Sequence, residues 1–88
     1  MIKSKLYDII ISHQAKKDIS KFNQKQKIKL KEILMFVISK NPYEGKKLLG
    51  DLAGCYSYRL TLKDRVLYRI DEKTKTVYIL RARTHYGN

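Results

Sequence analysis

The last third of the chain is built from three runs of β-branched and aromatic residues, 56–62, 65–71 and 76–83. Only the short polar turns Lys63-Asp64 and Glu72 to Lys75 separate them. Such residues suit a pleated, half-buried surface, and connections this short join antiparallel neighbours. An antiparallel meander is therefore predicted, and whatever precedes it has to cover one face of that sheet. Leu6 to Ile11 reads as an opening strand, closed by Ser12-His13. Ser12 can cap a short helix in which Ala15, Ile19 and Phe22 recur at i, i+4 and i+7, while Lys16, Lys17 and Lys21 point largely to water. Asn23 is the next N-cap. Residues 24–40 carry helical propensity with Leu30, Ile33, Leu34 and Val37 as a stripe, and Pro42 ends that helix at Asn41.

The predicted fold class is α+β in the order β-α-α-β-β-β, with two N-terminal helices packed on one face of a small, mostly antiparallel sheet. Residues 41–55, with Pro42, Gly45, Gly50 and Gly54, read as an irregular connection within one domain spanning 1–88. A chain of this length buries roughly 60 to 65% of its unfolded surface. Ile33 to Ile38 is apolar nearly all round, so Met35 and Phe36 fall away from the stripe. Either the first helix or a partner chain is expected to cover them.

Twenty Lys and Arg against eight Asp and Glu give a net charge of +12, a balance that favours polyanions. The lysines are scattered, as solubilising charges are. All five arginines (Arg59, Arg65, Arg69, Arg81, Arg83) fall in the final strands, and a guanidinium fork can grip phosphate oxygens bidentately. Strand alternation puts Arg65, Leu67 and Arg69 on one side of their strand and Val66, Tyr68 and Ile70 on the other. Ser57, Arg59 and Thr61 share a side, as do Arg81, Arg83 and, if the strand continues, His85. Three strands could thus present arginines from one surface to a bent phosphate backbone; the competing reading is an exposed face charged for solubility.

Cys55 is the only cysteine, which excludes an intramolecular disulfide and suits a reducing, cytoplasmic setting. The short apolar run near the start is broken by Asp8 and followed by no small-residue cleavage site, so export is not expected. Nor is membrane insertion. No Gly-rich phosphate loop, HExxH or CxxC is present, and neither a metal nor another cofactor is expected. RNA carries its own nucleophile in the 2′-hydroxyl. Cleavage needs only a base for that proton, cations for the developing phosphorane charge and an acid for the leaving 5′-oxygen. Glu44, the one acid in the glycine-rich connection beside basic residues, is the candidate base; His85, following two arginines, is the candidate acid.

The segments Asn41-Pro-Tyr-Glu-Gly-Lys46, Leu52-Ala-Gly-Cys-Tyr-Ser-Tyr-Arg-Leu60, Asp64-Arg-Val-Leu-Tyr68 and Arg83-Thr-His-Tyr-Gly87 together resemble the Txe/YoeB branch of the RelE/ParE toxin superfamily. That resemblance implies a bacterial toxin of a type II toxin-antitoxin system: a metal-independent, ribosome-dependent endoribonuclease that cuts mRNA in the decoding site and so inhibits translation. It also implies residue roles. Glu44 matches the family's general base, Arg65 its phosphate-stabilising arginine, His85 its general acid and Tyr86 a base-stacking or orienting residue. Arg59 and Arg83 match basic positions lining the cleft; Lys46, Lys47 and Arg81 are further candidate RNA contacts from their charge and position. The partners implied are mRNA, the ribosome and an antitoxin whose acidic, partly disordered segment folds on the basic surface. A homodimer is left open. Two other functions compete: a ParE-like toxin, which shares the fold but inhibits DNA gyrase, and a non-catalytic RNA-binding module. The His85-Tyr86 ending argues against the gyrase reading.

Overall fold

In a computed structural model, residues 6–83 are described. Strand β1 (Asp8–Ile11) leads into helix α1 (His13–Ser20) and helix α2 (Gln24–Ile33), followed by β2 (Lys46–Lys47), β3 (Cys55–Arg59), β4 (Arg65–Asp71) and β5 (Thr76–Arg83). The five strands form one sheet in the order β1-β5-β4-β3-β2. The meander β2-β3-β4-β5 is antiparallel throughout, whereas β1 runs parallel to β5. Parallel pairing requires a connection longer than any hairpin, and here it spans residues 12–75, both helices and the first three strands of the meander.

Both helix starts are set by the residues the sequence singles out. The Ser12 hydroxyl accepts from the Ala15 N–H at 3.0 Å and donates to the Leu80 carbonyl at 3.2 Å, so one side chain caps α1 and ties it to β5. Asn23 and Gln26 form a reciprocal capping box, each side-chain oxygen taking the other's backbone N–H at 2.8 Å. α2 ends earlier than its propensity suggests. At Leu34–Ile38 the backbone widens into a π-turn, closed by the Ser39 N–H on the Leu34 carbonyl at 3.0 Å. Ile38 is thereby fully buried and Val37 only half so.

The core lies between the helices and one sheet face: Val66, Tyr68, Val77 and Ile79 are fully buried against Ala15, Phe22, Leu30, Ile33, Leu34 and Ile38. Met35 and Phe36 remain 50% and 61% exposed, so α1 does not cover them. The connection read as irregular contributes β2, whose residues pair Lys46 with Ser57 and Lys47 with Tyr56. β3 ends at Arg59 instead of running to residue 62, because Asp64 turns the chain: its carbonyl accepts the N–H of Leu60 at 2.7 Å and of Thr61 at 3.3 Å.

Candidate active site

Strict alternation along β5 creates a conflict. Val77 and Ile79 face the core, so residues 81 and 83 would face it too, yet both are arginines. A β-bulge resolves this. Leu67 pairs with Arg81 while Tyr68 pairs with Ile79, leaving Leu80 as the extra residue. Beyond it the alternation reverses: Ala82 turns inward at 1% exposure, opposite Val66, and Arg81 and Arg83 leave the strand on the opposite face from Ala82. There Arg83 pairs with Arg65, and Arg65 with Arg59, so three arginine positions stand in one row across three strands. Like charges directly opposite one another destabilise a sheet by roughly 0.2–1 kcal/mol per pair. Solubility alone does not call for such a row, whereas a polyanion lying along it repays the repulsion.

Glu44 reaches the same place by a different route. It ends a single 3₁₀ turn, Pro42–Glu44, capped by the Asn41 side chain, which accepts the Tyr43 N–H at 3.3 Å. Two contacts hold this turn against the sheet. The Tyr68 hydroxyl donates to the Pro42 carbonyl at 2.6 Å from a fully buried position, and β2 pairs with β3 directly afterwards. Burial pushes the Tyr68 phenol up to about 12, so it stays a protonated donor. Gly45 is required here: a Cβ would stand 2.2 Å from the Tyr68 hydroxyl and 2.8 Å from the Ser57 carbonyl oxygen. The Pro-aromatic-Glu-Gly and Arg-x-x-Tyr segments, 26 residues apart along the chain, thus meet through Tyr68 and Pro42.

The result is an open cavity of about 340 Å³ lined by Glu44, Gly45, Lys46, Ser57, Tyr58, Arg59 and Arg65. It brings together one carboxylate, two guanidinium groups and an ammonium. A neighbouring cavity of about 310 Å³ is lined by Asp18, Lys21, Phe22, Gln26, Arg81, Ala82 and Arg83. Arg81 is held sideways by α1, its Nε 2.8 Å and Nη2 3.2 Å from the two Asp18 oxygens. Lys47, paired with Tyr56 in the register of the core-facing Tyr68, falls on the opposite face from Lys46. His85 and Tyr86 lie outside the described residues.

The roles of Ser57 and Tyr58 as cavity walls, and of Asp64 as an anchor, do not follow from the sequence pattern. The latter is 4% exposed and accepts from Gln26 Nε2 at 2.9 Å and from the Thr61 hydroxyl at 2.7 Å, anchoring the turn just before Arg65. Its one local hint is the Asp-Arg pair, where an acid adjoins a strand of core residues. Among the described residues no group of His, Cys, Asp and Glu could hold a metal ion, and no helix is long and apolar enough to cross a membrane.

A two-layer α+β fold carrying an arginine row beside a lone carboxylate defines the class: a small basic protein of RelE-like architecture. The chain belongs to the ParE-like toxins of type II bacterial toxin-antitoxin systems, whose family model matches residues 9–87. A chain of the RelBE2 toxin-antitoxin complex from Mycobacterium tuberculosis is 31% identical, with a TM-score of 0.85 over 97% of this chain and 98% of that one. One in the YoeB-YefM complex from Staphylococcus aureus is 28% identical, with a TM-score of 0.72 over 91% and 98%. The isolated RelE toxin of E. coli, at 22% identity, shares the fold with a TM-score of 0.76 over 93% and 87%. No curated protein sequence matches the chain.

Proposed function

We propose that this toxin is an endoribonuclease that cuts mRNA in the ribosomal decoding site without a metal ion. The observation that carries this reading is the convergence of Glu44, Arg59 and Arg65 on one open cavity, with Arg83 next in the arginine row. In the proposed reaction the Glu44 carboxylate takes the 2′-hydroxyl proton and O2′ attacks the adjacent phosphorus. The P–O2′ bond forms as the P–O5′ bond breaks, and His85 protonates the leaving 5′-oxygen. Arg65 and Arg59 stand where they can neutralise the phosphorane oxygens. Tyr86 stacks on or orients a splayed base. Lys46, Arg81 and Arg83 contact phosphates along the message, Arg81 with its charge partly neutralised by Asp18, while Lys47, on the opposite face, does not join them.

A basic surface binds RNA phosphates without regard to sequence, so the ribosome supplies specificity by presenting one strand in one conformation. The second partner is an antitoxin whose acidic segment folds over the basic face. The toxin-antitoxin complexes among the related structures support such a partner. A decisive experiment is primer-extension mapping of a defined mRNA in programmed ribosomes. Wild type should cut in the decoding site, and His85→Ala and Glu44→Ala should each slow cutting by about 100-fold or more, as loss of a proton-transfer group does. An intact message combined with arrest of DNA gyrase would replace this reading by the ParE-like one.

A further inference from the structure

In the β4–β5 turn, Glu72 collects hydrogen bonds from segments far apart in sequence. Its Oε1 accepts from the Tyr43 hydroxyl at 2.6 Å and from the Tyr7 hydroxyl at 2.9 Å. Its Oε2 pairs with the Lys75 ammonium, which also lies 5.0 Å from the centre of the Tyr7 ring. Tyr43 immediately precedes Glu44 in the 3₁₀ turn, and its ring meets Tyr56 edge-on at 5.7 Å. We propose that Glu72 is a positioning residue for Glu44, holding the Pro42–Glu44 turn through the Tyr43 hydroxyl. The proposal rests on the reading of Glu44 as the general base.

Three arguments lead there. A three-residue 3₁₀ turn does little to hold itself; its internal closure is the Glu44 N–H on the Asn41 carbonyl at 3.1 Å. Tyr68 fixes one side of the turn at Pro42 and β2 fixes the chain after it, so the aromatic arm between them is the remaining lever on where the carboxylate points. Secondly, exposed ion pairs contribute little stability, which leaves placement as the use of three donors on one surface carboxylate. Thirdly, a general base has to come within about 2.6–3.2 Å of its proton, and an error of about 1 Å can cost about 100-fold in rate. The donors keep the group charged: Lys75 first, then Tyr43 and Tyr7, hold the Glu72 carboxyl down at about 2. Conversely Glu72 pushes the Tyr43 phenol up to about 12, so the donor is not lost at any working pH.

The test uses the full chain carrying Glu72→Ala, Glu72→Gln, Tyr43→Phe and the Glu72→Ala/Tyr43→Phe pair. In single-turnover cleavage on programmed ribosomes, Glu72→Ala should lower the saturating rate about 10-fold with half-saturation unchanged, the pattern of misplaced chemistry and not weakened binding. Glu72→Gln keeps an oxygen for Tyr43 and should recover most of that rate. The pair should be no slower than either single variant, since both break one link. A wild-type rate for Glu72→Ala, a loss confined to half-saturation, or additive losses would overturn the proposal. A readout free of cleavage accompanies it: the order parameter of the Glu44 amide should drop from about 0.85 toward 0.6 in Glu72→Ala. If wild type cuts no message, the ribonuclease reading fails, while a Glu44 amide that stays rigid in Glu72→Ala sinks the positioning role by itself.

Discussion

Arg65 stands directly opposite Arg83 across the β4–β5 ladder, two like charges placed in register by the bulge at Leu80. Arg59 extends the row on the other side of Arg65. If phosphates lie along this row, each arginine releases counterions on binding. Arg65→Gln and Arg59→Gln should each lower the slope of log affinity against log salt by about one unit for single-stranded RNA. Fluorescence anisotropy across a salt series measures this. Slopes that match wild type would mean the row dresses the surface without touching the backbone.

Gly45→Ala should destabilise the fold by about 1–3 kcal/mol, because the added methyl meets the buried Tyr68 hydroxyl and a strand carbonyl, neither of which can swing away. Urea unfolding reports the loss. The same variant should cut message more slowly than its folded fraction accounts for, since relief of the clash moves the turn bearing Glu44.

Arg81→Ala removes both guanidinium hydrogen bonds from the Asp18 carboxylate, whose side chain is 10% exposed and keeps the Ala82 N–H at 3.0 Å, and should cost about 1.5–3 kcal/mol at neutral pH. The Arg81 fork, opposed by burial and aided by the Ala82 N–H, holds the Asp18 carboxyl below its ordinary 3.8. The folded chain therefore binds this proton less tightly than the unfolded one. That stabilisation is present above pH 3.8 and is lost as the pH falls through the lower folded value. The stability gap between wild type and Arg81→Ala should consequently narrow on acidification below that point; denaturant midpoints at neutral and acid pH check the sign.

Met35 and Phe36 stand exposed on the helical side, with the Lys40 ammonium 5.9 Å from the centre of the Phe36 ring. Their replacement by serine should leave the thermal midpoint within a few degrees, because little burial is lost. It should also weaken binding of an antitoxin whose apolar residues need this patch. An unchanged dissociation constant in calorimetry would exclude these two side chains from that interface.

Much of the architecture could be read from local chemistry. Ser12 and Asn23 are good N-caps wherever they fall, and the Val66, Tyr68, Ile70 alternation identifies the core face of β4 without reference to a partner. The boundaries that shifted depend on distant groups. α2 gives way to a π-turn where Leu34 and Ile38 both have to reach the core, and β3 stops where the Asp64 carbonyl captures two N–H groups. β2 is invisible in its own two lysines, since a strand of two residues exists only through its neighbour.

The sequence by itself determined the inventory: a basic chain with its arginines gathered in the final strands, a glycine-bearing connection in which Glu44 is the carboxylate beside basic residues, and caps and periodicities that select two helices and a meander. Those are consequences of side-chain volume, charge and hydrogen-bonding reach within a few residues. Tertiary structure alone decided that Arg81 and Arg83 leave β5 on the opposite face from the buried Ala82, because one extra residue at Leu80 in the β4–β5 ladder reverses the pleat. It also decided that Glu44 stands beside Arg59 and Arg65, through a Tyr68 hydroxyl bonded to a carbonyl 26 residues away. Pleat reversal and long-range hydrogen bonds depend on which strand lies alongside, which no local pattern encodes.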